Sequence, residues 1–245
     1  MIIEIRYRKC RKCGSKNIVK NGHDYKGSQK YLCLNCKSYG TLDKTREPDS
    51  KTRQEALDSY FERVSMRGVK RIFGVSRYYL AQWLLSLFKK QPPLATTLRK
   101  WKPEDVLELD ELWSFVLKKS QKRWVWIALC RRTRQVVAFV IGDRSEDTCR
   151  RLWEQIPEPY RLCATFSDFW DAYKKVFPEE THQSIGKETG LTAHVERWNL
   201  TLRQRLARFV RKTLSFSKSD VYHKAALSLF IHRYNQNLKQ ATSQF

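Results

Sequence analysis

The sequence lacks any apolar run long enough to cross a membrane. Its longest, YYLAQWLLSLF, is interrupted by polar residues and falls short of the roughly 20 residues that a spanning helix needs. The first residues, MIIEIRYRKCRKC, mix an acid with several bases and contain no long apolar core, so we expect no secretory signal. Internal repeats and low-complexity tracts are also missing. We therefore expect no membrane partner and a location in the cytoplasm, near the genome.

Acidic residues are scarce beside basic ones. The chain has 25 Asp and Glu against 48 Lys and Arg, which gives a formal net charge of +23. This excess is larger than solubility requires and predicts a polyanionic partner, with nucleic acid as the first candidate. Hydrophobic residues make up 41% of the 245 residues, enough for a sizeable core with one or two small modules attached. The composition is that of a globular protein.

Four of the seven cysteines form two CxxC pairs separated by 19 residues. The pairs are Cys10 with Cys13 and Cys33 with Cys36. Together they offer four thiolates at the corners of a tetrahedron, which predicts a structural Zn²⁺ with no open position for chemistry. A hairpin between the pairs would complete a zinc ribbon over residues 1–45. Two disulfides are the alternative, which a reducing compartment disfavours, and His23 is a weaker candidate ligand. The remaining cysteines are expected in the core: Cys130, Cys149 and Cys163.

After a linker, REPDSK, helical spacing predicts an all-α module over residues 50–90. A first helix is predicted over residues 50–66. A short helix, a GVS turn and an amphipathic helix over about residues 77–88 follow, with Ser76 as the cap of the last helix. This outline is typical of a helix-turn-helix, and a solvated helical hairpin is the alternative. The exposed side of the last helix offers three candidate DNA contacts: Arg77, Tyr78 and Gln82.

From about residue 100 to residue 245 the chain alternates strand and helix patterns. Three strands with short polar turns, VLELDELWSFVL, RWVWIALC and QVVAFVIGD, predict an antiparallel meander. A helix, SEDTCRRLWEQI, a strand, LCATFSD, a helix near WDAYKKVF and two long helices from Lys187 onward follow. A meander, a crossover helix and a fourth, parallel strand are typical of a ribonuclease-H-like fold. We therefore predict a mixed-sheet α/β domain of this type.

Three acids are candidates for one site in this domain. Alternation along the first strand places Asp110 opposite the apolar face, in a buried position that carboxylates occupy chiefly to hold a metal. Asp168 ends the fourth strand, where a parallel neighbour would bring it close to Asp110. Glu196 would be delivered by an arginine-rich helix predicted over residues 194–210, although alone it would more often be half of a surface ion pair. Glu108 and Glu111 also lie near strand ends and are not assigned to the triad.

Three carboxylates from three elements can hold two Mg²⁺ or Mn²⁺ ions, on the order of 4 Å apart, for in-line phosphoryl transfer. Arg203 lies two turns after Glu196 on the same helix face and would point toward DNA. His194 is a weak catalytic candidate, because two positions from Glu196 on a helix it points elsewhere. Further basic residues extend the predicted DNA-binding track: Arg205, Arg208, Arg211 and Lys212.

Four stretches resemble transposases of the insertion sequence one (IS-one) family. They are ERWNLTLRQRLARFVRKTLSFSKS, ELDELWSFV, FSDFWDAY and the amino-terminal CRKCGSKNIVKNG…YLCLNC. The resemblance implies a zinc finger and helix-turn-helix that recognise the element's terminal repeats, followed by a DDE catalytic domain. It places the triad on Asp110, Asp168 and Glu196, and the family's basic residue on Arg203. The best-known family pattern joins two overlapping reading frames, whereas here one continuous chain carries both parts.

The sequence therefore predicts a magnesium-dependent DNA transposase that binds terminal inverted repeats and cleaves and joins strands. Its partner would be double-stranded DNA, both element ends and target, and it would act as a homo-oligomer, nucleoid-associated when bound to DNA. Two alternatives stay open. One is a sequence-specific DNA-binding regulator with an inactive catalytic domain. The other is a ribonuclease-H-like nuclease without strand transfer, which only the reaction products distinguish.

Overall fold

The computed structural model describes residues 7–24, 27–42 and 48–241. Parts of the predicted ribbon and linker, at 1–6, 25–26 and 43–47, lie outside the described residues. The chain divides into two compact units, residues 1–50 and 51–245. The first contains a three-stranded antiparallel sheet in the order β1-β2-β3. Its strands are β1 (Ile18–His23), β2 (Gln29–Cys33) and β3 (Tyr39–Thr41). The hairpin predicted between the cysteine pairs is formed by β1 and β2.

Three helices begin the second unit: α1 (Ser50–Tyr60), α2 (Met66–Phe73) and α3 (Arg77–Lys89). The first is shorter than predicted, because the chain turns through Arg63 (φ 70°) and Ser65 then caps α2 by accepting from the Gly68 N–H. Gly74 (φ 68°) ends α2, and Ser76 caps α3 as the sequence predicts. The boundary at residue 66 was wrong, whereas the turn and the third helix are confirmed.

A five-stranded mixed sheet follows, in the order β6-β5-β4-β7-β8. Its strands are β4 (Val106–Phe115), β5 (Lys122–Cys130), β6 (Val136–Gly142), β7 (Ala164–Ser167) and β8 (His182–Ser184). The first three form the predicted antiparallel meander, and β7 is the predicted parallel neighbour of β4. The short strand β8, parallel to β7, was not predicted, because HQS carries no strand signal. The protein is therefore a mixed α/β structure.

Helices cover both faces of this sheet. Between strands lie α4 (Glu146–Gln155), α5 (Glu158–Arg161) and α6 (Asp171–Val176), and the chain ends with α7 (Ala193–Arg205) and α8 (Asp220–Ala241). One core contains Tyr173 and Leu152 with the β4 residues Leu107 and Leu109. The other core lies on the opposite face of the sheet and contains Trp198 with side chains of α1, α2, α3 and α8. The helical module therefore shares one of the two cores with the sheet.

Two further sequence predictions concern these cores and helices. Cys130, Cys149 and Cys163 are buried, which confirms their place in the core. The arginine-rich helix, predicted to reach residue 210, ends at Arg205, so that interpretation of its length was wrong. Among the described helices, none is long and apolar enough to cross a membrane.

A buried histidine makes the stability of the second unit depend on pH. His223 is fully buried on α8, with its ring nitrogens beside Ser217 Oγ (2.8 Å) and Ser114 Oγ (3.3 Å). Burial, and next the charge of Arg208, lower its pKa to about 3. The unfolded chain therefore binds more protons between the ordinary histidine pKa, about 6.5, and pH 3. Each pH unit of acidification in that window costs up to about 1.4 kcal/mol of stability.

Thermal melts followed by circular dichroism from pH 7 to pH 4 test this expectation. We expect the melting temperature to fall with pH, and the fall to be shallower in His223→Gln, which has no titrating ring. The slope difference between wild type and variant is the quantity of interest, because carboxylates also titrate in this range. Equal slopes would contradict a neutral, buried His223.

Candidate functional site

The four paired cysteines converge in the first unit. The sulfur atoms of Cys10, Cys13, Cys33 and Cys36 all lie within 4.8 Å of one another. Cys10 Sγ is 3.6 Å from Cys36 Sγ, and Cys13 Sγ is 3.6 Å from Cys33 Sγ. Four ligands about 2.3 Å from a tetrahedral Zn²⁺ would stand about 3.8 Å apart. All seven cysteines are free thiols, so the disulfide alternative is not formed, and the four sulfurs could bind zinc.

The backbone around each cysteine pair forms a turn that positions the sulfur atoms. The chain turns through left-handed residues after each pair, Gly14 (φ 73°) and Lys37 (φ 57°), whose N–H groups donate to the carbonyls of Cys10 and Cys33. The backbone amides of Cys13 and Lys12 also donate to the Cys10 sulfur and lower the pKa of its thiol to about 6. Thiolate is the form that binds metal, so this arrangement favours a zinc ribbon.

Removing one of these sulfurs should remove the metal and leave the second unit folded. Cys33→Ser should reduce bound zinc to near zero, because three thiolates hold the ion far more weakly than four. The second unit should still melt cooperatively, since its hydrophobic cores contain no ribbon residue. Metal content by mass spectrometry and melts by circular dichroism measure both. His23→Ala is the control, expected to keep its zinc, and global unfolding of Cys33→Ser would contradict the independence of the units.

A second cluster of possible ligands lies at the end of β7. The carboxylates of Asp110, Glu111 and Asp168 lie within 4.8 Å of one another. The parallel register pairs Glu108 with Phe166, which places Asp110 level with Asp168, one residue past the end of β7. Because β7 stops at Ser167, we infer that side chains from either face of β4 can reach round its edge. The structure therefore brings together two of the three predicted acids and adds Glu111.

The three carboxylates hold excess negative charge. Burial, followed by the charge of Glu111 and then that of Asp168, raises the pKa of Asp110 to about 7. Burial and the charge of Asp168 also raise the pKa of Glu111, although Arg144 and Tyr173 oppose this. Asn199 Nδ2 donates to Asp110 Oδ2 at 2.7 Å. Carboxylate oxygens crowded in this way are the ligands that hard divalent cations prefer, so the group could bind a metal.

Glu111 is held by partners that sequence reasoning missed. Its carboxylate accepts from the Arg144 guanidinium and from the Tyr173 hydroxyl, the latter at 2.9 Å. The Arg144 guanidinium carbon lies 3.9 Å from the ring centre of Trp170 and 4.6 Å from that of Trp124. Strict alternation along β4 places Glu111 on the face opposite to Asp110. Because β7 ends early, we infer that both carboxylates can still reach the same site beside Asp168. The signal available in the sequence was its adjacency to Asp110.

Glu196 occupies the first turn of α7 and is exposed. One of its carboxylate oxygens accepts from the Thr192 hydroxyl at 3.3 Å. Within residues 7–24, 27–42 and 48–241, it is not among the ligand atoms that converge on Asp110 and Asp168. Asn199, one turn further along the same helix, is the residue that contacts Asp110. The role of Glu196 as the third acid stays a prediction.

The amino terminus of α7 is fixed by a buried acid of the sheet. Glu108 is fully buried and accepts from the backbone N–H groups of His194 (2.9 Å) and Val195 (3.1 Å). His194 Nδ1 lies 2.6 Å from the same carboxylate, and Arg131 Nε donates to it at 2.7 Å. A carboxylate at this position satisfies unpaired amides and the helix dipole. His194 therefore belongs to this cap, which fixes where α7 presents Asn199.

The predicted basic track divides by environment. Arg203 is half-buried, and burial and then Arg211 lower its pKa, whereas the charge of Asp110 raises it. The Arg205 guanidinium pairs with Glu62 and lies 5.4 Å from the ring centre of Phe230. Arg208 is only 8% exposed and donates to Ser217 Oγ (3.1 Å) and the Tyr222 carbonyl (3.2 Å). DNA contacts by Arg205 and Arg208 stay predictions that these protein partners do not favour.

Comparison with known proteins gives one family. A family model described as IS1 transposase matches residues 106–236, a range that contains the five-stranded sheet and the acidic cluster. The insertion element iso-IS1n protein InsB of Shigella dysenteriae is 38% identical over 129 residues, which are 53% of this chain and 95% of that protein. The insertion element IS1 4 protein InsB of Escherichia coli strain K12 is 37% identical over 148 residues, 59% of this chain and 86% of that protein.

Proposed function

The chain belongs to the IS1 transposase family, and from this we propose that it binds the terminal inverted repeats of an insertion sequence and cleaves and joins DNA strands. The observation that carries the chemistry is the convergence of Asp110, Glu111 and Asp168 at the end of β7. Within the domain 100–245, the meander with its parallel neighbours supports a ribonuclease-H-like fold. The cytoplasm, where element and target DNA lie together, is the proposed location.

The proposed catalytic residues are the acids Asp110, Asp168 and Glu196, with Glu111 beside them. The raised pKa of Asp110 and the close carboxylate oxygens fit a divalent cation, Mg²⁺ or Mn²⁺. Such ions, when bound, activate an attacking water or 3′-hydroxyl and stabilise the leaving oxygen. The chain's own residues do the positioning. Asn199 orients the Asp110 carboxylate, and Arg203 places positive charge where the phosphate backbone would approach.

The proposed DNA-recognition parts are residues 50–90, as a helix-turn-helix, and residues 1–45, as a zinc ribbon. Arg77, Tyr78 and Gln82 are exposed along α3, which supports entry of this helix into a major groove. The net charge of +23 supports contacts with both element ends and target DNA. Because two ends must be joined in one reaction, we propose that the protein acts as a homo-oligomer on DNA.

Incubation with a supercoiled plasmid that carries the element's ends tests this proposal. The purified protein is incubated with and without Mg²⁺, and any new junctions are sequenced. Junctions at the ends that require Mg²⁺ are expected of a transposase. Nicks at the ends without joined products would indicate the nuclease, and tight end binding without cleavage, in wild type and Glu196→Gln alike, would indicate the regulator.

A further inference from the structure

A basic cleft of about 440 Å³ lies between the helices α2 and α3 and residues 207–222, which include most of the connection from α7 to α8 and the start of α8. Five of the residues that line it are basic and none is acidic. They are Arg67, Arg71, Arg77, Arg208 and Lys218. The segment 207–222 has no catalytic role in the proposed function. The proposed function assigns only Arg77 of these five residues to duplex DNA, so the charge of the rest of the cleft requires a separate explanation.

The exposed charges of the cleft have no acidic partner among the described residues. Arg67, Arg71, Arg77 and Lys218 are exposed, and none forms an ion pair with another residue in the described ranges. Positive side chains that converge on one cleft without an acid repel one another, which an anionic ligand would relieve. The cleft is therefore matched to an anion.

Two buried polar residues, Arg208 and Tyr60, also line the cleft. Arg208 is 92% buried, and its Nε has no hydrogen-bond partner in the part of the chain that the structure describes. Burial raises the pKa of Tyr60, which is 2% exposed, and the Arg208 guanidinium beside its hydroxyl opposes that shift. The Arg208 guanidinium carbon lies 5.5 Å from the Tyr60 ring centre, so the two groups are neighbours. Arg208 is therefore held at the floor of the cleft by Ser217, Tyr222 and Tyr60, and it adds a fixed positive charge beneath the exposed basic residues.

The rest of the lining is apolar or aromatic, which defines the class of anion. Met66, Phe216 and Tyr222 line the cleft, and Leu214 beside them is 96% exposed. A phosphate alone would leave these surfaces without a partner. A DNA duplex presents its phosphates outward and keeps its base faces stacked, so it also leaves them bare. A nucleotide that has left the duplex offers both a phosphate and an unstacked base.

We propose that this cleft binds an unpaired nucleotide of a DNA strand. Its phosphate lies among Arg67, Arg71 and Lys218, and its base packs against Phe216 and Tyr222. The inference rests on the proposed function as a DNA transposase and adds a single-strand contact to it. The cleft has the size of a nucleotide-binding pocket. Arg77 of α3 also lines it, so a strand that separates from a duplex bound on α3 can enter directly.

Binding measurements with a charge-matched control test the proposal. The cleft variant combines Arg71→Glu with Lys218→Glu. The control combines Lys118→Glu with Lys119→Glu, two exposed residues in the turn between β4 and β5, and changes the net charge equally. Fluorescence anisotropy is measured with a labelled single-stranded oligonucleotide of about 12 nucleotides and with a duplex of the same sequence. Melts by circular dichroism establish that both variants are folded.

We expect the cleft variant to lose about tenfold or more of its affinity for the single strand relative to the control, and less than about threefold for the duplex. Leu214→Ala, at a side chain too exposed to affect folding, should weaken single-strand binding by about twofold or more. Equal losses in the cleft and control variants, or equal losses for single strand and duplex, would overturn the proposal.

Photo-crosslinking locates the strand directly. An oligonucleotide that carries 5-iododeoxyuridine should crosslink wild-type protein at Phe216 or Tyr222, and crosslinks confined to other residues would overturn the proposal. If the protein joins element ends but fails both tests, only the cleft assignment is lost. If it binds neither duplex nor single strand, the proposed transposase function is lost with it.

Discussion

Asp110→Asn should reduce strand cleavage and joining by roughly a thousandfold or more. The amide keeps the size of the carboxylate but loses the charge that a divalent cation requires. Asp110 is also the acid that contacts Asn199, and burial together with the charges of Glu111 and Asp168 raises its pKa to about 7. The neutral amide relieves that repulsion, so the folded protein should be as stable as wild type or more so. Loss of activity with retained stability is the pattern expected of a functional site.

Strand transfer from a supercoiled donor measures the expected loss of activity, and a thermal melt measures the expected retention of stability. Asp147→Asn is the matched control, because Asp147 is exposed on the first turn of α4, outside the acidic cluster. It should keep activity within about twofold of wild type. Undiminished joining by Asp110→Asn would remove Asp110 from the catalytic group.

Glu196→Gln should lower joining by at least about a hundredfold and leave the melting temperature unchanged. The stability expectation follows from its exposure and its single described contact, with Thr192. The activity expectation follows from its position one turn before Asn199, on the helix that reaches Asp110. Glu111→Gln should instead lower the melting temperature by several degrees, because it breaks the pair with Arg144 inside the protein.

Comparing these two variants identifies the third acid. Measured side by side on one donor plasmid, they separate loss of chemistry from loss of folding. If Glu196→Gln stays active while Glu111→Gln is inactive and folded, Glu111 is the third ligand and the triad inferred from the resemblance is mistaken at that position.

Periodicity predicted the sheet well because its strands are long and half or fully buried. The three-strand meander and the parallel β7 follow from alternation in segments of four to ten residues. Three features escaped. The strand β8 is too short and too polar to produce a strand pattern in the sequence. The carboxyl-terminal ends of α1 and α7 depend on turns at Arg63 and Leu206, which tertiary packing imposes. Local pattern cannot report such constraints.

The sequence predicted only those residues of the candidate site whose positions follow from strand pattern and strand order. Asp110 and Asp168 follow from burial and strand order. Glu111 and Asn199 do not, because their contacts depend on where β7 stops and on how α7 is rotated. Arg208 lies in a short 3-10 helix (Ala207–Phe209) beyond the end of α7, and its burial could not be predicted from a run of arginines.

The Glu108 cap has a consequence for how this protein can diversify. Glu108 and Asp110 lie two residues apart on β4, so one strand both holds an acid of the cluster and anchors the start of α7. The relative position of Asp110 and Asn199 is then set by internal contacts alone. Exposed residues of α3 contribute nothing to that alignment. Under the proposed function, substitutions on α3 would change which element ends are bound while the acidic cluster keeps its geometry.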